Sequence, residues 1–191
     1  MSICNQLQFY ANRLFIFSLP FLLLIALLLG AALNVTHAAS TETSVYGAWT
    51  VQCQPENGNP TPACVATQLV SKGNDARQVV IGVTVGYEAQ HSMPHIIFRV
   101  SPGANTHKGA AVKIDQQAHV SIPITNCDKQ ICEVRSFIPN VLLEQMQQGK
   151  MLQFAFFIKN QQITYPVSLE GFSQTYQLLV SNHTLASHHT Q

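Results

Sequence analysis

Four cysteines in two short-range pairs, set behind a long apolar N-terminus, constrain this chain more than any other feature. The pairs are Cys53 with Cys64 and Cys127 with Cys132, and the apolar run extends from Leu14 to Leu33. Thiols spaced this way beyond an export signal indicate an oxidising compartment, where a small domain can be stapled by disulfides. Four thiols allow three pairings. Pairing between neighbours is favoured, because each pair then closes a loop near a strand end. Cys127 and Cys132 bracket a tight turn, and Cys53 and Cys64 bracket the segment PENGNPTPA. Loop closure of these lengths contributes about 2–3 kcal/mol each. Zinc prefers closer knuckles or neighbouring histidines, and redox pairs usually form CxxC at a helix start. Neither spacing is present, so the cysteines read as structural.

The N-terminus has the three parts of a signal peptide. Arg13 supplies a positive charge, the apolar run follows, and small residues close the segment NVTHAAS. Thr36 and Ala38 suit the −3 and −1 positions for a cut after Ala38. The run is about 20 residues, which is also long enough to span a bilayer. Two outcomes therefore stand: a cleaved signal peptide over 1–38, or an uncleaved anchor. Both place residues 39–191 across the membrane. Cys4 precedes the apolar run and leaves with it if the cut is made.

Removing Arg13 from the 10 Lys and Arg leaves 9 cations against 9 Asp and Glu, a balance near neutrality. Phosphate backbones require clustered cations, so nucleic acid is excluded as an expected partner. Membrane contact is expected only through the N-terminal segment, if it is uncleaved.

The remaining chain reads mostly as strands. Trp49, Val51 and Cys53 share one face, as do Val79, Ile81, Val83 and Val85, all at period two. Further strands are expected near 63–70, 95–100, 112–114, 120–124, 131–137, 152–158 and 163–169. Gly82 sits opposite its apolar neighbours and suggests a bulge. The segments SPGANTHKG and NCDKQ read as turns. Two helices are expected. One follows Pro139 with Leu142, Leu143 and Met146 on one side and stops at Gly149; the other places Phe172, Tyr176 and Leu179 at helical spacing. Short strands with frequent turns predict a mainly β chain, an antiparallel β-sandwich-like domain over 39–181 with one or two short helices and two local disulfides. Residues 182–191 read as a flexible tail.

Chemistry-bearing residues are sparse. No GxSxG elbow, SxxK signature or phosphate-binding loop occurs. His91 and His95 are four apart with Pro94 between them, which argues against a metal-binding helix. His183, His188 and His189 lie in the tail. Asp115 reads as a turn residue bonding the backbone. A hydrolase would need a deep pocket joining His91, His95 or His119 to an acid such as Asp115. No catalytic, cofactor-binding or metal-ligating residue is assigned, and no cofactor is expected. Trp49, the one tryptophan, reads as a core plug.

The sequence from Trp49 to Cys53, followed by Cys64 and Gln68, resembles the opening of the invasion-associated locus B family of exported bacterial proteins. VSPGANTHKGAAVKID, the second cysteine pair and PVSLEGFSQTYQLL continue the resemblance in order over 46–181. One departure is Ile131, where the pattern usually has Gly before the second cysteine. The resemblance implies a compact β-rich domain in the periplasm or at the outer surface. It also implies a part in host-cell invasion or envelope function, hence virulence, without a defined enzyme activity. In it Gly171 permits a tight strand-to-helix passage and Phe172 plugs the core.

The expected function is non-enzymatic binding of a protein or glycan at the cell envelope or host surface. The binding would use loops 87–94 and 101–109 on a rigid scaffold. A periplasmic structural or chaperone-like factor is the alternative, marked by an exposed apolar edge able to take a peptide. Mass spectrometry of the non-reduced exported protein should find two intramolecular disulfides and no free pair of thiols. N-terminal sequencing should begin near Ala39; an intact Met1 would establish the anchor instead.

Overall fold

The computed structural model describes residues 41–56, 59–73, 78–88 and 91–189. The expected signal peptide or anchor lies outside the described residues. In chain order the strands are β1 (Glu42–Tyr46), β2 (Trp49–Glu56), β3 (Asn59–Ser71), β4 (Val79–Gly86), β5 (His95–Val100), β6 (Ala110–Ile114), β7 (Val120–Ile122), β8 (Asn126–Cys127) and β9 (Cys132–Phe137). Helix α1 (Asn140–Gln148), strands β10 (Met151–Ile158) and β11 (Gln161–Ser168), and helix α2 (Phe172–His189) complete the chain.

Two antiparallel sheets form. One runs β1-β2-β3-β4-β5-β9-β8 and the other β11-β10-β6-β7. Period-two alternation gives each sheet one apolar face, and those faces meet. Ile81, Val83 and Val85 of β4 with Phe98 of β5 supply one side; Leu152, Phe154 and Phe156 of β10 supply the other, all almost fully buried. Phe98 and Phe154 stack across the sheets with ring centroids 4.1 Å apart. The mainly β antiparallel sandwich is therefore present, with both local disulfides.

Local chemistry explains where the elements stop. Helix α1 buries Leu142, Leu143 and Met146 and ends where the Gly149 N–H bonds the Gln145 carbonyl at 2.7 Å. Gly149 is not left-handed here, with φ −76°. It is required for room, since a Cβ would meet Ile114 Cγ2 at 2.6 Å. Gly82 stays in register, paired with Leu69 and Arg99; the irregularity falls instead between Val70 and Ser71. Strand β1 had no sequence signal of its own. It forms because it pairs with β2 in full register from Glu42↔Cys53 to Tyr46↔Trp49. The tail expected from residue 182 is helical through His189, and the His183 ring stacks on Tyr87 at 4.2 Å. The Tyr87 hydroxyl also donates to Tyr176 at 3.0 Å, and burial followed by this bond raises its pKa.

One clasp joins both sheets and α2. The side-chain amide of Gln68 on β3 meets the backbone of Ser168 at the end of β11 twice. Its Nε2 donates to the Ser168 carbonyl at 2.9 Å, and its Oε1 accepts the Ser168 N–H at 2.9 Å. Trp49 Nε1 donates to the same carbonyl at 3.0 Å. Ser168 pairs with Met151 of β10, and the buried Gln68 bonds its N–H and carbonyl on the open edge of β11. Beyond Ser168 the chain turns, with the Glu170 N–H bonded to Ser168 Oγ at 3.2 Å. Gly171 (φ 81°) and Gly47 (φ 56°) then bring two turns into backbone contact. A Cβ on Gly47 would strike the Glu170 carbonyl at 2.5 Å, and one on Gly171 would strike the Tyr46 carbonyl. Phe172 follows, fully buried, with its ring 5.2 Å from that of Trp49.

Replacing Gln68 with Leu keeps the volume but leaves the Ser168 N–H unbonded. The expected cost is about 1–3 kcal/mol. It should appear as a lower urea midpoint with an unchanged slope, and an unchanged midpoint would show that the clasp is dispensable.

Candidate functional site

The disulfides belong to the scaffold. Cys53 and Cys64 are direct partners across β2 and β3, and Cys127 and Cys132 across β8 and β9; each pair has Cα atoms 4.0 Å apart. Cys53 and Cys132 are buried in the core. The 127–132 turn is organised by Asp128, whose Oδ1 accepts the N–H groups of Gln130 and Ile131, each at 2.7 Å. These two bonds hold the Asp128 carboxyl below the usual carboxylate range. Among the described non-glycine residues only Asp115 and Lys159 have positive φ, so Ile131 closes the turn with ordinary backbone geometry. The residue that departs from the family pattern therefore imposes no strain.

The two expected recognition loops leave β5 at opposite ends and do not converge. Within 87–94, residues 89 and 90 lie outside the described residues. Glu88 there meets Arg135 at 2.7 Å, His91 at 3.7 Å and His95 at 3.9 Å. Arg135 also reaches Glu133 at 3.4 Å, and Glu133 reaches Arg99 at 3.2 Å. The acid beside His91 and His95 is thus Glu88, not Asp115. His95 is buried and its Nδ1 has no hydrogen-bond partner among the described residues. Burial first, then the Arg135 charge, lowers its pKa against the opposing pull of Glu88 and Glu133.

The loop 101–109 is stitched down by Asn105. The Asn105 N–H bonds the Phe157 carbonyl at 2.7 Å, its Nδ2 donates to the Lys159 carbonyl at 3.2 Å, and its Oδ1 accepts the N–H groups of His107 and Lys108. This fixes Lys108 with its Nζ 4.5 Å from the centre of the Phe157 ring and 3.3 Å from Asn160 Oδ1.

Lys108 borders an open trough of about 690 Å³ on the outer face of the four-stranded sheet. Register builds it. Ser121, Ala111, Ala155 and Thr164 are directly paired across β7, β6, β10 and β11, forming a low floor. Lys113 pairs with Gln153 on one side, and Phe157 with Gln162 on the other. Sequence reasoning missed these residues. Their signal was present as the polar alternates of apolar strands, but every strand has such a set.

Asp115 and His119 also border the trough, yet no hydrogen bond or ion pair joins them among the described residues. Asp115 (φ 44°) is a turn residue. Its two carboxylate oxygens accept the N–H groups of Lys150 and Met151 at 3.0 and 3.1 Å, tying the end of β6 to the start of β10. The side chains of His188 and His189 lie outside the described residues. No group of three or more His, Cys, Asp or Glu among the described residues is placed to hold a metal ion.

The geometry defines a disulfide-stapled antiparallel sandwich with a C-terminal helix clasped to its edge. The family model for the invasion associated locus B (IalB) protein matches residues 49–180, and the chain belongs to that family. Membership links it to invasion at the level of the family, and together with the disulfides it indicates an exported protein. The fold is similar to the crystal structure of invasion associated protein B from Bartonella henselae, with TM-score 0.64 and 23% identity over 73% of this chain and 95% of that one. No curated protein matches the chain.

Because folding disfavours the charged form of His95, the unfolded chain binds more protons below the ordinary histidine pKa of about 6.5. Stability should be complete above that value and decline as pH falls through it. Replacing His95 with Asn should flatten the dependence between about pH 7.5 and 5, read from urea midpoints. An equally steep decline in the variant would assign the effect to another group.

Proposed function

We propose that this is an exported, non-enzymatic binding protein that works at the cell envelope or host surface and takes part in host-cell invasion. The observation that carries this reading is the trough on the four-stranded sheet. Its exposed side chains serve neither the core nor the clasp, and the sheet beneath them is held by a packed, doubly stapled scaffold. Surfaces of this kind suit recognition, because the ligand meets groups that are already positioned. Action by binding is also supported by the state of Asp115. Both of its oxygens are engaged by backbone N–H groups, so it is poorly placed to serve His119 as a catalytic partner.

A second reading, a periplasmic structural or chaperone-like factor, is favoured by β1. This five-residue strand ends the seven-stranded sheet and carries no Lys or Pro. Val45 on it is 67% exposed. The other sheet ends are blunted: β8 has 2 residues, β7 has 3, and β11 contains Pro166. Among the described residues no strand pairs with the outer side of β1, and such an edge is a template for an added strand.

Cross-linking on intact cells with host membranes added separates the two. The first reading expects host-surface or envelope ligands whose capture falls when Lys113 is replaced by Glu. Repeated recovery of envelope assembly factors alone, lost instead on replacing Val45 with Lys, would transfer the function to the β1 edge.

A further inference from the structure

We infer that the trough takes a carboxylate-bearing oligosaccharide of the host surface, a chain with acidic sugars at intervals. This rests on the binding role proposed above and names its ligand class. The first argument is the floor. Ala111 and Ala155 at its centre let a ligand approach the sheet closely, and the Ser121 and Thr164 hydroxyls stand at its two ends. Gln153 and Gln162 flank it, and the latter donates to Thr164 Oγ1 at 3.3 Å. Amides and hydroxyls both donate and accept, which is what sugar hydroxyls require. Phe157 is the one apolar aromatic side chain in the lining, and Val112 there is buried in the core, so the trough is poorly suited to an apolar peptide anchor.

The second argument is charge. Lys108, Lys113 and His119 line the trough. Asp115 is the only acid in the lining, and its oxygens already face two backbone N–H groups. Two cations are too few to track a nucleic-acid backbone. They are also well separated. Lys113 pairs with Gln153 and Lys108 lies over Phe157, and these two β10 residues are four apart, about 13 Å along a strand. That exceeds the span of one monosaccharide. A single acidic sugar would satisfy one lysine, whereas a chain with repeated carboxylates reaches both. The host surface is the source proposed for such a chain because the family is named for invasion.

The probe is a hyaluronan octasaccharide, titrated calorimetrically into the oxidised protein recovered in its naturally exported form. Binding is expected, with affinity that falls as salt rises. Replacing Lys108 or Lys113 with Glu should weaken it by about tenfold or more each, while Lys113→Arg should retain it. Both lysines are exposed, so these variants should keep both disulfides and the wild-type urea midpoint. The same octasaccharide with its carboxylates methyl-esterified should bind at least about tenfold more weakly.

Equal binding of the ester would overturn the inference, as would tighter binding of a hexaglutamate peptide or of the bacterium's own envelope polysaccharide. Adherence of the labelled protein to host cells, read by flow cytometry, separates the two levels. If the lysine variants lose adherence but the octasaccharide does not bind, the sugar assignment fails and the binding role stands. If the octasaccharide binds through these lysines but adherence is unchanged, the ligand class stands and the role at the host surface fails.

Discussion

The Ser168 clasp is the interaction on which the rest of the fold depends. Gln68 and Trp49 come from the larger sheet, Ser168 ends the smaller one, and the chain then enters α2 within four residues. A half-buried carbonyl and N–H at a sheet edge would each cost up to about 1–3 kcal/mol if left without partners. Meeting both with one amide allows β11 to stop there and lets the chain reverse. The Gly47 and Gly171 contact then fixes where α2 begins, and Phe172 closes the core beside Trp49.

The two disulfides act differently. Each joins residues already opposite each other in a ladder, so they hold sheet ends together and do not create the sandwich. Stacking of Phe98 on Phe154 and the aliphatic rows around them do that. The consequence for function is a division of labour between faces. Inner faces, cysteines and clasp are committed to stability. The outer face of the four-stranded sheet is left with amides, hydroxyls and lysines at set positions, free of any part in the core.

Much of this was legible in the residues. The alternation of Val79, Ile81, Val83 and Val85 and the apolar row on 152–158 gave strands in the right places, because a half-buried strand must repeat every two residues. Cys53 and Cys64 were expected to bond and do. Strand β1 was not legible, since ETSVY has no core face of its own and exists through pairing with β2. The extent of α2 was misjudged at Ser181, because the polar run beyond it carries no strong helical stripe, while the stacking of His183 on Tyr87 comes from another part of the chain. Gln68 stood out only as part of a family pattern, and its bonds to Ser168 span 100 residues.

By itself the sequence determined the β-rich class, the strand faces, the cysteine pairs and the family. These depend on composition, short-range spacing and order, which a linear chain displays. Tertiary structure alone decided which polar side chains would gather in one trough and which acid His91 and His95 would meet. Glu88 reaches His95 because β4 and β5 pair, and Asp115 is spent on the Lys150 and Met151 backbone because β6 ends beside β10. The trough likewise exists only where Ser121, Ala111, Ala155 and Thr164 are brought side by side from four strands. Juxtaposition of distant segments is set by how the sheets pair and pack, and no local pattern records it.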